Sequence, residues 1–518
     1  MPLDSRIAEQ LVGSVTLLLP ELILVAAACV LFVGGTVYRS RTTWAGAALV
    51  AIALAFLAWW WGPASDPTPS SVGLVALTPL ASYVAVLSLA AVAVVVLSGW
   101  SQVPDSHAAE FHACLLVIAA GTMLVGAAND LILLFLALEM ISIPTYLVLY
   151  LPRQDASDQE AALKYFLLSV FASAVFLFGI SYLYGLAGTT NLTALGVALP
   201  IQRESGFDLL VGLAMVLVLA GLSFRVAAVP FHFYAPDVYQ GTVPVCAGLL
   251  AAIPKVAGFV AMLVVLNAAL GLTAVEPWFP EVRNVITAVC WILALASMTI
   301  GNLLALLQSN PRRLLAYSSI AHAGYVLVGV GAALAASGSG GQEAVLFYLA
   351  IYTAMTLGAF AVLGLLGTGT EAVEDLAGLA RTRPFYALAL AVCLFSLTGL
   401  PPTAGFWAKL YIFLAAWASG GTLFRVLAIA LALNAAVAAW YYIRIVAIMY
   451  LRPPGREPAV TADRPGLIGA AACAAFVVGV FAFPGWVWTA SRLAVSPADQ
   501  TAQAISAPGS VQAFAQDR

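Results

Sequence analysis

The sequence predicts an all-α polytopic membrane protein, and three observations carry that expectation. Hydrophobic residues fill 63% of its 518 positions and charged residues only 9%, with a mean hydropathy of +1.01; soluble globular chains carry charge on about 25% of their residues. The apolar residues fall in runs of about 20, the length that crosses about 30 Å of hydrocarbon at helical rise. Two runs are interrupted by proline beside a cation, and a broken helix flanked by ionisable residues is a pointer to an ion or substrate path.

In order, the runs are 11–34, 43–61, 74–99, 112–128, 130–150, 161–187, 208–232, 243–266, 284–307, 313–335, 343–366, 384–418, 423–450 and 466–490, about fourteen spans. The stretch from Gly221 to Lys255 breaks at Pro230 and Pro236, each lacking a backbone donor and disfavouring helix in the residue before it. The run 384–418 is too long for one straight helix, and it holds Pro401 and Pro402 between Gly399 and Gly405. The breaks fall at the seventh and twelfth runs, five apart, a spacing that points to two related halves of about five helices each. The division expected is a three-helix segment over 1–110, a first repeat over 111–266, a second over 267–450, and a last helix with a polar tail over 451–518. Short polar joints such as Asn129 and Asp130 suit antiparallel neighbours. An early Ala26 to Cys29 stretch looks faintly like a cleavage site, but the apolar run continues past it, so a retained first span is expected.

Arginines in the short loops set the orientation. With the N-terminus outside, inner loops hold Arg39, Arg41, Arg153, Arg312, Arg313, Arg381, Arg383, Arg452, Arg456 and Arg464; outer loops and tails hold Arg6, Arg203, Arg283, Arg425, Arg492 and Arg518. That bias places both termini outside, and the tail from Ser491 onward reads as a polar end. The six cysteines lie far apart inside apolar runs and read as small core residues. The absence of a CxxC pair argues against an iron-sulfur or zinc site, and no basic patch points to nucleic acid.

Few ionisable residues lie inside the runs, and a central Asp, Lys or Arg costs about 2.5 to 3.5 kcal/mol to insert. Glu139 lies mid-run, as a structural ion-pair partner or a proton-handling carboxylate. Lys255 and Lys409 also lie within runs; a buried lysine, unlike arginine, can exchange its proton. Lys164 sits near the start of its run, where it either snorkels to the interface or takes part in the path. His232 follows a break and His322 lies among hydroxyl residues in LLAYSSIAHAGYVLVG, so a hydrogen-bonded relay is open to each. His107 and His112 are assigned to a loop and its edge. Glu21 and Asp237, each beside a proline, are assigned to local structure, and Glu374 with Asp375 to a solvated face.

The motifs LFLALEMISIPTYLVL, EAALKYFLLS, VPFHFYAPDVYQG, GNLLALLQSNPRRLLAYSSIAHAGYVLVG and GLPPTAGFWAK resemble those of the antiporter-like membrane subunits of proton-translocating NADH-quinone oxidoreductase, respiratory complex I. PDVYQG is similar to the subunit N branch, where related subunits and the Mrp-type antiporters more often read PDA. The resemblance implies fourteen helices, two inverted five-helix repeats and a half-channel in each. It makes Glu139 the fifth-helix glutamate, Lys255 the eighth-helix lysine, Lys409 the twelfth-helix lysine and His322 a central-axis histidine. Arg225 stands where the family usually has a lysine; a guanidinium does not deprotonate, so Arg225 is expected to be a fixed partner for Glu139. Protons would run from the Glu139/Arg225 pair through Lys255 and His322 to Lys409, from the inner to the outer face.

The resemblance also implies a bacterial inner membrane, neighbouring antiporter-like and small helical subunits of the membrane arm, and surrounding lipid. No cofactor is expected in this chain; NADH, FMN, iron-sulfur clusters and quinone belong to other subunits. Two alternatives remain open at this stage, an Mrp-type cation/proton antiporter subunit and a structural subunit that does not pump. A quinone redox site within the chain is disfavoured by the lack of a glycine-rich dinucleotide turn and of cluster ligands.

Overall fold

The computed structural model describes residues 15–62, 70–202, 208–272, 279–336, 338–367, 370–454 and 463–495. Arg6, Arg203, Arg456, Arg518, the first residues of the 11–34 run and the tail beyond Val495 lie outside the described residues.

The helices in chain order are α1 (Leu19–Gly35), α2 (Arg41–Trp61), α3 (Pro79–Gly99), α4 (Ala108–Ala127), α5 (Leu131–Tyr150), α6 (Ala156–Ala187) and α7 (Leu192–Gln202). There follow α8 (Asp208–Arg225), α9 (Tyr234–Gly241), α10 (Pro244–Leu270), α11 (Pro280–Leu306), α12 (Pro311–Ala335) and α13 (Gly341–Leu365). After a 3-10 turn (Val373–Leu376) come α14 (Leu379–Thr382), α15 (Pro384–Thr398), α16 (Ala404–Ala418), α17 (Gly421–Leu451), α18 (Arg464–Ala482) and α19 (Gly485–Val495). Among the described residues, twelve helices are long and apolar enough to cross a membrane; α1, α15 and α16 are shorter apolar helices.

Local chemistry explains where the helices start. Asp130 accepts from the backbone N–H of Ile132 (2.8 Å) and Leu133 (3.2 Å), capping α5. Asp155 accepts from Asp158 N–H (2.8 Å) ahead of α6, and Asn310 accepts from Arg312 and Arg313 ahead of α12, where Pro311 occupies the first turn. Each cap satisfies donors that have no partner inside the helix, and proline loses nothing in a first turn.

Several expectations need correction. The interruption after Arg225 falls at residues 226–233, with Pro230 inside it, but Pro236 lies in the first turn of α9, where its missing N–H costs no helical bond. The run 466–490 is two helices, because Pro484 separates α18 from α19, and α19 carries the helical chain past Ser491 to Val495. The chain is not wholly helical: Ser70–Val72 (β1) pairs antiparallel with Val75–Leu77 (β2), a short hairpin hidden at the margin of an apolar run. Helix α7 was not expected either. Cys29 is exposed on α1, whereas the other five cysteines are buried. Arg283, assigned to an outer loop, is buried in the first turn of α11 and donates from Nε to the Leu334 carbonyl (2.5 Å) at the end of α12. His112, assigned to a loop edge, is fully buried in α4, with Nδ1 2.6 Å from the Ala108 carbonyl.

The core is built on α10, α12 and α13, each apolar nearly all round and enclosed by the rest of the chain. A helix hydrophobic on every face is stable only where others surround it. The outer faces of α6 and α17 expose large apolar residues, including Phe171, Phe178, Leu433 and Trp440. Polar groups on α10 and α12 therefore lie deep inside the bundle.

Candidate functional site

Glu139 on α5 and Arg225 at the last turn of α8 form an ion pair, Arg225 Nη2 to Glu139 Oε1 at 2.8 Å. Ser173 on α6 donates to the same carboxylate oxygen at 2.5 Å. The guanidinium spreads its other donors over Ser142, the Leu138 carbonyl (3.0 Å) and Ser173 (3.3 Å). Arg225 is 5% exposed and Glu139 is 20% exposed, so one side of the carboxylate opens to the surface of the chain. Just past Arg225 the backbone of Ala227 takes a left-handed φ of 56°, a conformation that costs an alanine about 1 to 2 kcal/mol. Such strain persists only where its surroundings over-determine it.

Helix α8 ends close against α10. A Cβ at Gly258, one turn beyond Lys255, would meet Val226 Cγ1 at 2.8 Å and Arg225 Cβ at 3.3 Å. The missing side chain thus lets the ion-pair end of α8 lie beside the helix that carries Lys255. Among the described residues no direct hydrogen bond joins the pair to Lys255.

Lys255 is 2% exposed. Its ammonium donates to the Ser319 carbonyl and to Ser319 Oγ (2.5 Å), and lies 5.7 Å from the Tyr352 ring centroid. Tyr352 donates to Ser319 Oγ at 2.9 Å, and the Tyr239 hydroxyl on α9 also approaches Ser319. One helical turn along α12, His322 Nδ1 is 2.7 Å from the Tyr348 hydroxyl and Nε2 is 3.3 Å from that of Tyr442, which contacts Ser318. The His322 and Tyr352 rings are 5.2 Å apart.

Lys409 sits beyond the second break. Its ammonium donates to the Leu397 (2.9 Å) and Thr398 (2.7 Å) carbonyls at the end of α15, groups left without helical partners where the helix stops. A cation there also complements the negative end of the helix dipole. His322 approaches the same Leu397 carbonyl, with Lys255 and Lys409 as its charged neighbours. Lys409 further lies 5.1 Å from the Tyr325 ring, whose hydroxyl accepts from Asn302 (2.8 Å). Both lysines are held by neutral oxygens and rings alone among the described residues, so either can release a proton without breaking an ion pair.

The structure thus brings Lys255, His322 and Lys409 into one buried line, with the Glu139/Arg225 pair at one end. Lys164 and His232 are not part of it. Lys164 is 40% exposed and pairs with Glu160 (2.7 Å) and Asp237 (2.9 Å), and Asp237 also pairs with Arg313 (2.6 Å). Asp237 therefore ties α9 to α6 and α12, a link between distant segments rather than the local structure expected of it. His232 lies in the turn after α8, with no partner on Nδ1 among the described residues. Glu374 pairs with Arg444 at 3.1 Å on an exposed face. Sequence reasoning set His322 among the hydroxyls of its own motif, Ser319 included, but missed the groups on other helices that hold the line together: Ser142, Ser173, Tyr348, Tyr352 and Tyr442. A signal existed for two of them, since Tyr348 and Tyr352 stand four apart in an otherwise apolar span and so share one helix face. Among the described residues no cluster of three or more His, Cys, Asp or Glu side chains could hold a metal ion.

A helical bundle with two interrupted spans and buried Lys255, His322 and Lys409 defines a polytopic membrane protein with ionisable groups in its interior. The family model described as NADH:quinone oxidoreductase/Mrp antiporter, TM, matches residues 128–433. NADH-quinone oxidoreductase subunit N 2 of Roseiflexus castenholzii is 40% identical over 479 residues, covering 89% of this chain and 91% of that protein. A chain of respiratory complex I from Thermus thermophilus with bound aureothin superposes with a TM-score of 0.74 at 32% identity, covering 91% of this chain and 98% of that one. A chain of the Mrp complex from Dietzia sp. DQ12-45-1b shares the fold, with a TM-score of 0.78 at 20% identity over 95% of this chain and 98% of that one. The chain belongs to the NADH-quinone oxidoreductase subunit N family.

Proposed function

We propose that this chain is a proton-translocating subunit of the membrane arm of NADH-quinone oxidoreductase, driven by quinone reduction elsewhere in the complex. The observation that carries the reading is how closely the three groups are gathered: Lys255 and Tyr352 both bond to Ser319, the Tyr352 ring packs on His322, and His322 approaches the Leu397 carbonyl that holds Lys409. Protons from the inner side reach the Glu139/Arg225 pair, pass to Lys255, move along this line and leave from Lys409 to the outer side. Opening or closing the ion pair changes the electrostatic cost of a second positive charge on Lys255, which lies one turn from the residue packed against Arg225. A mechanical or electrostatic signal from the neighbouring subunit becomes proton affinity in this way.

The same reading assigns the wider setting. The chain sits in a bacterial inner membrane with both termini outside, next to another antiporter-like subunit, small helical subunits and lipid. NADH, FMN, iron-sulfur clusters and quinone are handled by other subunits. Counting α1 as one span and α15 with α16 as another supports fourteen crossings, arranged as two inverted repeats over 111–266 and 267–450. The Mrp alternative shares only the fold, whereas the relatives near 40% identity are named for the oxidoreductase. A sealed structural subunit has no use for two enclosed ammonium groups.

Replacement of Lys255 tests the proposal. Lys255→Ala and Lys255→Arg in the assembled complex are both expected to impair proton uptake into proteoliposomes, because arginine keeps the charge but cannot release it. If the arginine variant pumps like the parent, Lys255 is a fixed charge and the relay is wrong.

A further inference from the structure

The contact between α5 and α6 carries a second polar ladder that leads to the ion pair. On α5, Glu139, Ser142 and Tyr146 are spaced three and four residues apart and share a face; on α6, Tyr165, Ser169 and Ser173 are spaced four apart and share another. The two faces meet rung by rung. Ser173 donates to Glu139 (2.5 Å), the Tyr146 hydroxyl faces Ser169 with Ser142, Glu139 and Arg225 close by, and the Tyr146 and Tyr165 rings meet edge to face with centroids 5.7 Å apart. Tyr165 in turn lies near Arg225, Tyr146 and Glu139. The ladder points toward the α5–α6 connection, which begins about 18 Å from Glu139 along α5 at 1.5 Å per residue.

Two groups on this ladder have hydrogen-bonding capacity left over. Ser169 is 1% exposed, and its Oγ and the Tyr146 hydroxyl, although they face each other, are both buried without a hydrogen bond of good geometry among the described residues. Buried hydroxyls are almost always paired, so each unsatisfied one calls for an explanation. Here both lie between the inner loop carrying Arg153 and the carboxylate where the proposed path begins. A hydroxyl can accept a proton on an oxygen lone pair while giving up its own, so one with free capacity is suited to pass protons on.

We propose that the α5–α6 seam is the inlet through which a proton reaches Glu139, with Tyr146 and Ser169 as its inner stations. The proton binds the Tyr146 oxygen as the tyrosine releases its own toward Ser169; a water between Ser169 and Ser173, which stand one turn apart on α6, takes a proton from Ser169 and gives one to Ser173, and Ser173 passes one to Glu139. Every hydroxyl ends as it began, no electrons are transferred, and the only net change is a neutral Glu139 carboxyl. Neutralising that group removes the Coulomb attraction that holds Arg225. The inlet therefore also sets when the ion pair opens.

This inference rests on the proton-pumping reading above, and the test separates the two. NADH-driven turnover and proton uptake are measured on the whole complex in proteoliposomes, in H₂O and D₂O, for Tyr146→Phe, Ser169→Ala, Ser169→Thr and Lys255→Ala. Tyr146→Phe and Ser169→Ala are expected to slow coupled turnover severalfold and to raise the solvent isotope effect. Ser169→Thr keeps a hydroxyl and should stay near the parent, and the Tyr146→Phe/Ser169→Ala double variant should be no worse than either single one. Parent-like rates and isotope effects in Tyr146→Phe and Ser169→Ala, with Lys255→Ala impaired, would overturn the inlet alone. If Lys255→Ala is also parent-like, the pumping reading falls with it.

Discussion

Arg225 closes α8 against α5 and α6, and its surroundings show what a guanidinium does there. Its guanidinium serves Glu139, Ser142, Ser173 and the Leu138 carbonyl at once, a fork that a single ammonium cannot reproduce but whose charge it can replace. Arg225→Lys is therefore expected to assemble and pump. Arg225→Ala leaves a carboxylate without its counter-charge; breaking a buried pair costs roughly 3 to 5 kcal/mol, and the 20% exposure of Glu139 puts the loss toward the lower end. Assembly and proton uptake of Arg225→Ala should both fall, and adding Glu139→Gln should restore assembly without pumping. Additive effects of the two substitutions would mean that the pair is not coupled. At this scale much was legible. Glu139, Arg225, Lys255, His322 and Lys409 stand out because each is an ionisable group in an apolar run. The serines and tyrosines that hold them do not stand out, because a hydroxyl costs little in an apolar helix and its partner is decided by packing between distant segments. His112 was misplaced for a related reason: the helix begins at Ala108, before its apolar run becomes apparent.

Among the elements, the second break shows how backbone and side chain specify each other. Helix α15 stops at Thr398 because Gly399 turns left-handed (φ 87°) ahead of the proline pair, and the carbonyls freed there are the acceptors that hold Lys409. A Cβ on Gly399 would sit 2.8 Å from Lys409 Cδ. Gly399→Ala therefore pays twice, once in a left-handed alanine at about 1 to 2 kcal/mol and again in displacing the lysine. The expected outcome is a complex of lower thermal stability whose proton uptake falls further than its assembly. Unchanged uptake would show that the position of Lys409 is not critical. Both breaks were readable from their prolines, since proline acts locally through a missing donor and a steric clash. Their register was less so. Pro236 opens a new helix because it falls in a first turn, and the β1–β2 hairpin has too few residues to interrupt an apolar pattern.

Across the whole molecule, three enclosed helices carry Lys255, His322 and the tyrosines between them, α16 brings Lys409 to them, and the outer helices turn apolar faces outward. That division was legible as a class, because composition alone requires a bundle, but not as an arrangement. Which helices lie at the centre follows from contacts between α10, α12 and α13 that no single run reveals. The central claim is that Lys409 terminates a proton path that starts at Glu139. Its most direct measurement is proton uptake coupled to quinone reduction in proteoliposomes bearing the assembled Lys409→Met variant, whose side chain keeps the length and apolar stem but has no exchangeable proton. The account predicts normal assembly with clearly reduced pumping; pumping at the parent's rate in a fully assembled Lys409→Met complex would contradict it.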